Sequence, residues 1–342
     1  SERRPPVVVL ACLSVPFRGQ GNADSGPAGD RGWSSPVIFA VPDGGVVLRY
    51  RGVVLRREML RGLERLDATT TLLQRARLAG PPGDMWEAAD VQWWWGRSRV
   101  TDELALPVWF DCTGPVAAAG LTAEGETWQA DVFAVPSVVD AEEVWAAALE
   151  AAGGQGRGSL QVLVFGDRAP MADLALRSGF TASEEVEGTA WMDAGDRPPV
   201  ALVDGFTVVD RAARCGRPHP MIARNGERVE ERLGQCSLYD PTLDLAVVDA
   251  AGEVAGYALF WFDPVTLVGL VEPMRVEDGY QRRGLARLLL TTGVDRLAGK
   301  GTRRLKVGFT TDAARDLYCG TGFVQTSVDR LFTRQGPAGP TP

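Results

Sequence analysis

Gln281-Arg282-Arg283-Gly284-Leu285-Ala286 (QRRGLA) is the stretch on which the reading of this 342-residue chain turns. Before it, Leu267 to Val276 (LVGLVEPMRV) is apolar, β-branched at several positions and closed by Glu277-Asp278-Gly279, which predicts a strand ending in a tight loop. After it, Ala286, Leu289, Leu290, Gly293, Val294 and Leu297 recur at three- and four-residue intervals, and Gly299 with Gly301 supplies a stop, which predicts a helix. A loop freed by Gly284 and opening directly into a helix offers unpaired N–H groups and the positive end of the helix dipole to an anion. Arg282 and Arg283 add formal charge. The expectation is a phosphate-binding strand-loop-helix.

The pattern has neither the Gly-Lys-Ser/Thr of a Walker loop nor the three spaced glycines of a dinucleotide fingerprint. QRRGLA instead resembles the Q/R-x-x-G-x-G/A signature of the GNAT superfamily of acyl-CoA-dependent N-acetyltransferases, with Ala286 at the third small position. Downstream, Arg303 to Phe309 reads as a strand and Asp312 to Gly322 as a short helix. That helix ends in Tyr318-Cys319-Gly320-Thr321-Gly322-Phe323, similar to the family's tyrosine, three residues, Gly-Phe ending. The resemblance covers roughly residues 203 to 333 and is architectural before that.

The resemblance implies an α/β (α+β) fold and a direct-attack transfer of the acetyl group of acetyl-CoA to a primary amine of a small molecule or peptide. It implies that the strand ending Met274-Arg275-Val276 splays from Leu305 to Gly308 and offers backbone groups to the pantetheine and thioester. Gln281, Arg282, Arg283, Gly284, Leu285 and Ala286, with Arg287 in the first helical turn, would hold the pyrophosphate. Tyr318 would act as general acid at the sulfur; its other reading is a packed helix tyrosine. Glu272 lies two and four residues before Met274 and Val276, so the three are expected on one face of the strand. Glu272 is either the base, its pKa raised by partial burial, or the structural partner of an arginine. Cys319 neighbours Tyr318, but adjacent helix residues do not share a face, so no thiol nucleophile is read.

The length predicts two domains. The net charge of −8 argues against nucleic acid as partner. Cys12, Cys112, Cys215, Cys236 and Cys319 are scattered, odd in number and never in a C-x-x-C pair, which predicts a reduced cytoplasm and no structural metal. His219 is the only histidine and sits in Arg-Pro-His-Pro, read as loop. The apolar run before Cys12 is too short for a lipoprotein signal core, and no segment approaches the length of a membrane span.

Ser1 to Gly45, rich in Gly, Pro and Ser, reads as a poorly ordered or irregular extension or as a stray strand. Val46 to Leu55 predicts a strand, and Arg57 to Leu78 a helix through Met59, Leu63, Leu66, Leu72, Leu73 and Leu78. Trp86, Trp93, Trp94 and Trp95 form an aromatic cluster without basic interleaving, read as a core or interdomain contact rather than a stacking platform. Three short strands follow (Leu104 to Asp111, Pro115 to Ala123, Thr127 to Val135), then a helix from Asp140, a strand at Leu160 to Phe165 and a helix ending at Gly179-Phe180.

That order is the order of the second half. An offset of 143 carries Gly322-Phe323 onto Gly179-Phe180, Leu305 to Val307 onto Val162 to Val164, and Arg287 to Leu297 onto Val144 to Gly154. We read an internal duplication. At the loop, QRRGLA becomes Val138-Val139-Asp140-Ala141-Glu142-Glu143, where three carboxylates would repel a pyrophosphate. Tyr318 maps to Ala175. The expected organisation is a degenerate copy over 46–195 without a cofactor loop, a catalytic domain over 196–335 and a flexible tail at 336–342. This tandem order is similar to that of mycothiol synthases, with nothing at residue level naming that acceptor. In the second half, Leu202 to Val209 is a first strand and residues 243–276 hold a three-strand meander. Residues 211–240 carry Arg214, Arg224, Arg228 and Arg232 with Glu227, Glu230 and Glu231, read mostly as a solvated face. The competing reading is an acetyl-CoA-binding pseudoenzyme acting as sensor or interaction module.

Overall fold

The computed structural model describes residues 37–40, 46–50, 53–80, 83–154, 159–166 and 168–335. The expected tail, the N-terminal extension outside 37–40 and Cys12 lie outside them. The first half runs β1 (Val37–Ala40), β2 (Val46–Tyr50), β3 (Val53–Leu60), α1 (Gly62–Ala79), α2 (Ala88–Trp95), β4 (Leu106–Asp111), β5 (Gly114–Glu124), β6 (Thr127–Ala134), α3 (Ala141–Gly153), β7 (Ser159–Val164), α4 (Ala169–Arg177) and β8 (Thr181–Asp193). The second half runs β9 (Phe206–Asp210), α5 (Ile222–Asn225), α6 (Val229–Leu233), β10 (Asp244–Asp249), β11 (Val254–Asp263) and β12 (Val268–Val276). It continues with a 3-10 turn (Asp278–Tyr280), α7 (Leu285–Gly299), β13 (Arg304–Phe309), α8 (Asp312–Cys319) and β14 (Val324–Gln335).

The fourteen strands among the described residues join in one sheet, ordered β1-β2-β3-β4-β5-β6-β7-β14-β8-β13-β12-β11-β10-β9. The order shows an exchange. β14, last in the chain, lies between the first half's β7 and β8, while β8 runs on to pair with β13, Trp191 opposite Lys306. Each half's final strand thus completes the other half's sheet, and the two copies are locked by main-chain hydrogen bonds as well as by side chains. The duplication is visible in detail. Phe323 N–H bonds to the Tyr318 carbonyl and Phe180 N–H to the Ala175 carbonyl, both at 3.1 Å, so α8 and α4 end by the same turn.

The expected helix from Arg57 begins later. Residues 56–60 pair with β4, Arg56 opposite Phe110 and Leu60 opposite Leu106, and Met59 is exposed. A neighbouring strand has captured a segment of helical pattern, a tertiary override of local preference. α1 starts at Gly62, whose N–H bonds to the Asp102 carbonyl.

Two cores result. One gathers α1, α2 and α3 on the first half's strands and reaches across to Tyr257, Leu259, Trp261 and Leu270 of the second. The other packs α7 on β10 to β13 and includes Tyr318 and Phe323. α7 sits close on the sheet because Gly293 has no side chain: a Cβ there would fall 2.0 Å from the Phe260 ring. The tryptophan cluster settles as an interdomain contact. Trp95 donates to Gln235 at 2.8 Å, and α2 packs on β11, β12 and α6.

Candidate active site

The loop of Gln281 to Gly284 is exposed, and Leu285 anchors it with 1% of its surface exposed. Arg282 and Gly284 both hold positive φ, 62° and 83°, and Gly284 is the N-cap of α7 with no side-chain cap. The N–H groups of Leu285, Ala286 and Arg287 have no carbonyl a turn earlier to bond, so they point out of the helix end unpaired. Arg283 lies over the Tyr280 ring, 5.4 Å from its centroid, and donates to the Gly279 carbonyl. Orphan donors, a left-handed glycine and two exposed arginines fit a pyrophosphate. Arg275 is bridged by its side chain to Glu277 and Asp278, which leaves only its backbone for the strand edge.

β12 and β13 pair in parallel over only three positions, Val268–Arg304, Gly269–Leu305 and Leu270–Lys306. Beyond them the strands part, and the gap opens between Glu272 and Gly308. The expected common face of Glu272, Met274 and Val276 is not found. Val271 pairs with Phe260 and Met274 with Ala258, so three steps of β12 match two of β11 and the alternation slips at Glu272-Pro273. Met274 and Val276 turn to α7, whereas Glu272 turns with Leu270 toward the first half. No pattern rule could place that bulge from the residue spacing.

Glu272 is half-buried. Burial, then the nearby Asp90 carboxylate, pushes its carboxyl up to about 8; Lys306 and a hydrogen bond from Trp93 pull the other way. Tyr318 approaches the same gap from the α7 side, packed against Phe309 and Phe323 and 6% exposed. Burial, then the Glu272 charge, raises its phenol above the usual range, and its hydroxyl makes no hydrogen bond among the described residues. A carboxyl and a phenol thus face one opening from opposite sides of the sheet.

The first half supplies the roof. Lys306 donates to the Met85 carbonyl at 2.7 Å and to Asp90 at 3.2 Å, and lies over the Trp86 ring. Sequence reasoning missed Lys306, Asp90 and Glu187; the raised carboxyls of Glu272 and Glu187 depend on contacts across the exchange. Arg232, read as solvated, is instead 5% exposed, bound to Asp102 and to the Trp95 carbonyl, and is an anchor between the halves. His219 is in a loop as expected but buried, its Nε2 2.8 Å from Asp244.

The first half has the matching gap. β6 and β7 pair at Thr127–Ser159, Trp128–Leu160 and Gln129–Gln161 and then diverge around a cleft of about 1150 Å3 lined by Asp131, Phe133, Val162 and Asp140. Here Asp140 caps α3, accepting from the Glu142 N–H at 3.0 Å, so an amide of the kind left free in α7 is already used. Ala175 stands fully buried in the tyrosine's place.

Residues 215–323 match the model described as the acetyltransferase (GNAT) family. The tandem GNAT protein from the clavulanic acid biosynthesis pathway superposes with a TM-score of 0.61 at 17% identity, over 84% of this chain and 100% of that one. A GCN5-related N-acetyltransferase from Sphaerobacter thermophilus gives 0.51 at 16% identity, over 83% and 96%. Among curated proteins none matches. Among the described residues no helix is long and apolar enough to cross a membrane.

Proposed function

We propose that this chain, whose residues 215–323 match the GNAT acetyltransferase family model, moves the acetyl group of acetyl-CoA to a primary amine. The carrying observation is the parting of β12 and β13 after Leu270–Lys306, with an unpaired helix N-terminus on one side and Glu272 and Tyr318 facing the opening. The loop 281–286 and Arg287 would hold the pyrophosphate by main-chain N–H groups and exposed arginines. The freed edges of Met274 to Val276 and Val307 to Gly308 would take the pantetheine and the thioester carbonyl, and orient the acyl carbon for attack.

Glu272 would take the proton of the incoming ammonium. The amine nitrogen then bonds the acyl carbon as the carbon–sulfur bond breaks, Tyr318 would give its proton to the departing thiolate, and the second proton of the nitrogen would return to the Tyr318 phenolate. The raised carboxyl suits a base that must release its proton again near neutrality, and the raised phenol stays protonated until the thiolate forms. The first half, with carboxylates at its loop and Ala175 in place of a tyrosine, supports a structural role that roofs the acceptor side.

The test is calorimetric titration of acetyl-CoA into the protein and into Gly284→Glu, with free-thiol release over a panel of amines. Binding lost in the variant and thiol release in the wild type support the reading. Absence of binding to the wild type sinks it. Binding without release to any amine favours the sensor alternative.

A further inference from the structure

On the face of the sheet turned to the first half, the registers set Leu270 beside Lys306, Lys306 beside Trp191, and Gly308 beside Thr189. Lys306 and Trp191 close one end of this row: Lys306 is held by Met85 and Asp90, and the Trp191 indole donates to Asp84 at 2.7 Å. Two residues along β13 the row opens. Gly308 is exposed, and a Cβ built on it meets nothing within 4 Å. Glu272 stands on one side of this hollow and Glu187, two residues along β8 from Thr189, on the other.

Neither carboxylate has a cation of its own. Lys306 is already committed to Asp90 and the Met85 carbonyl. Glu187 is half-buried and its side chain makes no hydrogen bond or ion pair among the described residues. The charges that act on it most are Asp329, Asp90 and Glu124, with Lys306 opposing them. Asp329 is sealed by Thr189, Ser327 and the Gly166 N–H. Burial and these like charges raise Glu187 to about 7, as they raise Glu272 to about 8. Two uncompensated carboxyls across an open hollow cost stability, and such an arrangement is characteristic of a ligand site.

Taking the acyl-transfer reading as given, we infer that the acceptor is a diamine or polyamine, attacked at the nitrogen before Glu272 and held by a second ammonium at Glu187. A monoamine leaves Glu187 without its counter-charge, and an acidic acceptor adds to the repulsion. Glu187 comes from β8, the strand the first half lends to the second, so the non-catalytic copy contributes a specificity residue.

The experiment measures free-thiol release from acetyl-CoA with 1,3-diaminopropane, cadaverine, spermidine and n-pentylamine, and the heat of binding of the same amines in the presence of CoA. At least one of the three polyvalent amines should exceed n-pentylamine in kcat/KM by about tenfold or more, the worth of one hydrogen bond between charged groups. Glu187→Gln should erase most of that advantage through KM while keeping its affinity for acetyl-CoA, which shows the fold intact. Equal use of the diamines and n-pentylamine, an unchanged preference in Glu187→Gln, or no binding of any polyvalent amine overturns the inference. Failure to bind acetyl-CoA overturns the acyl-transfer reading instead.

Discussion

Lys306 of the second half and Asp90 of the first meet at 3.2 Å with side chains only 4% and 3% exposed. Removing one partner of such a pair strands the other, and Lys306 is also the cation that acts on both Glu272 and Glu187. Lys306→Ala should cost about 3 to 5 kcal/mol in urea unfolding. Lys306→Met with Asp90→Asn should recover much of the loss. A single variant as stable as the wild type would show that the pair does not hold the halves together.

Tyr318→Phe removes a hydroxyl that bonds nothing among the described residues, so the fold should keep its stability. Thiol release should fall by about 100-fold or more, the range of a positioned acid, with the affinity for acetyl-CoA preserved. A variant with full turnover would leave Tyr318 a packing residue.

Glu272 must be ionised to accept a proton, so kcat/KM should climb as pH rises through about 8. The raised phenol of Tyr318 delays any alkaline fall. Acceptor amines titrate too, so the informative quantity is the difference from Glu272→Gln, which should lack the Glu272 component. Superimposable profiles would remove Glu272 from the chemistry.

The same shifts set stability. A carboxyl with a folded pKa above its unfolded value of 4.5 keeps a proton that the unfolded chain has lost, so its contribution is full below pH 4.5 and declines until pH passes about 8. Glu187 behaves likewise, with its loss complete near 7. Glu272→Gln and Glu187→Gln should therefore raise Tm relative to the wild type at pH 9 and not at pH 4. An equal Tm difference at both values would show the carboxyls unshifted.

Gly284 has room for a side chain, its nearest neighbour being Val203 at 3.5 Å from a Cβ, so its constraint is the φ of +83°. Asn, which tolerates the left-handed region, should bind acetyl-CoA better than Ala, and Ala better than Glu, which adds a charge facing phosphate. Calorimetry giving the three equal affinities would remove the loop from cofactor binding. Stoichiometry in the wild type should be one acetyl-CoA per chain, since Asp140 and Glu142 stand at the first half's cleft; two would show that cleft competent.

The strand-loop-helix around Gly284, the tyrosine helix, the duplication and the carboxylates at the matching turn of the first copy were legible in the residues. Each is set by local chemistry: glycine at a left-handed position, apolar spacing at 3.6 residues, carboxylates where an anion would bind. Only the tertiary structure decided that β8 and β14 change places, because strand pairing is a choice of partner that no segment carries within itself. It alone turned Glu272 away from Met274 and Val276, through a bulge set by the β11 register. And it alone brought Asp90, Lys306 and Glu187 to the gap, since the charge state of a carboxyl depends on what is folded over it, here the other half of the chain.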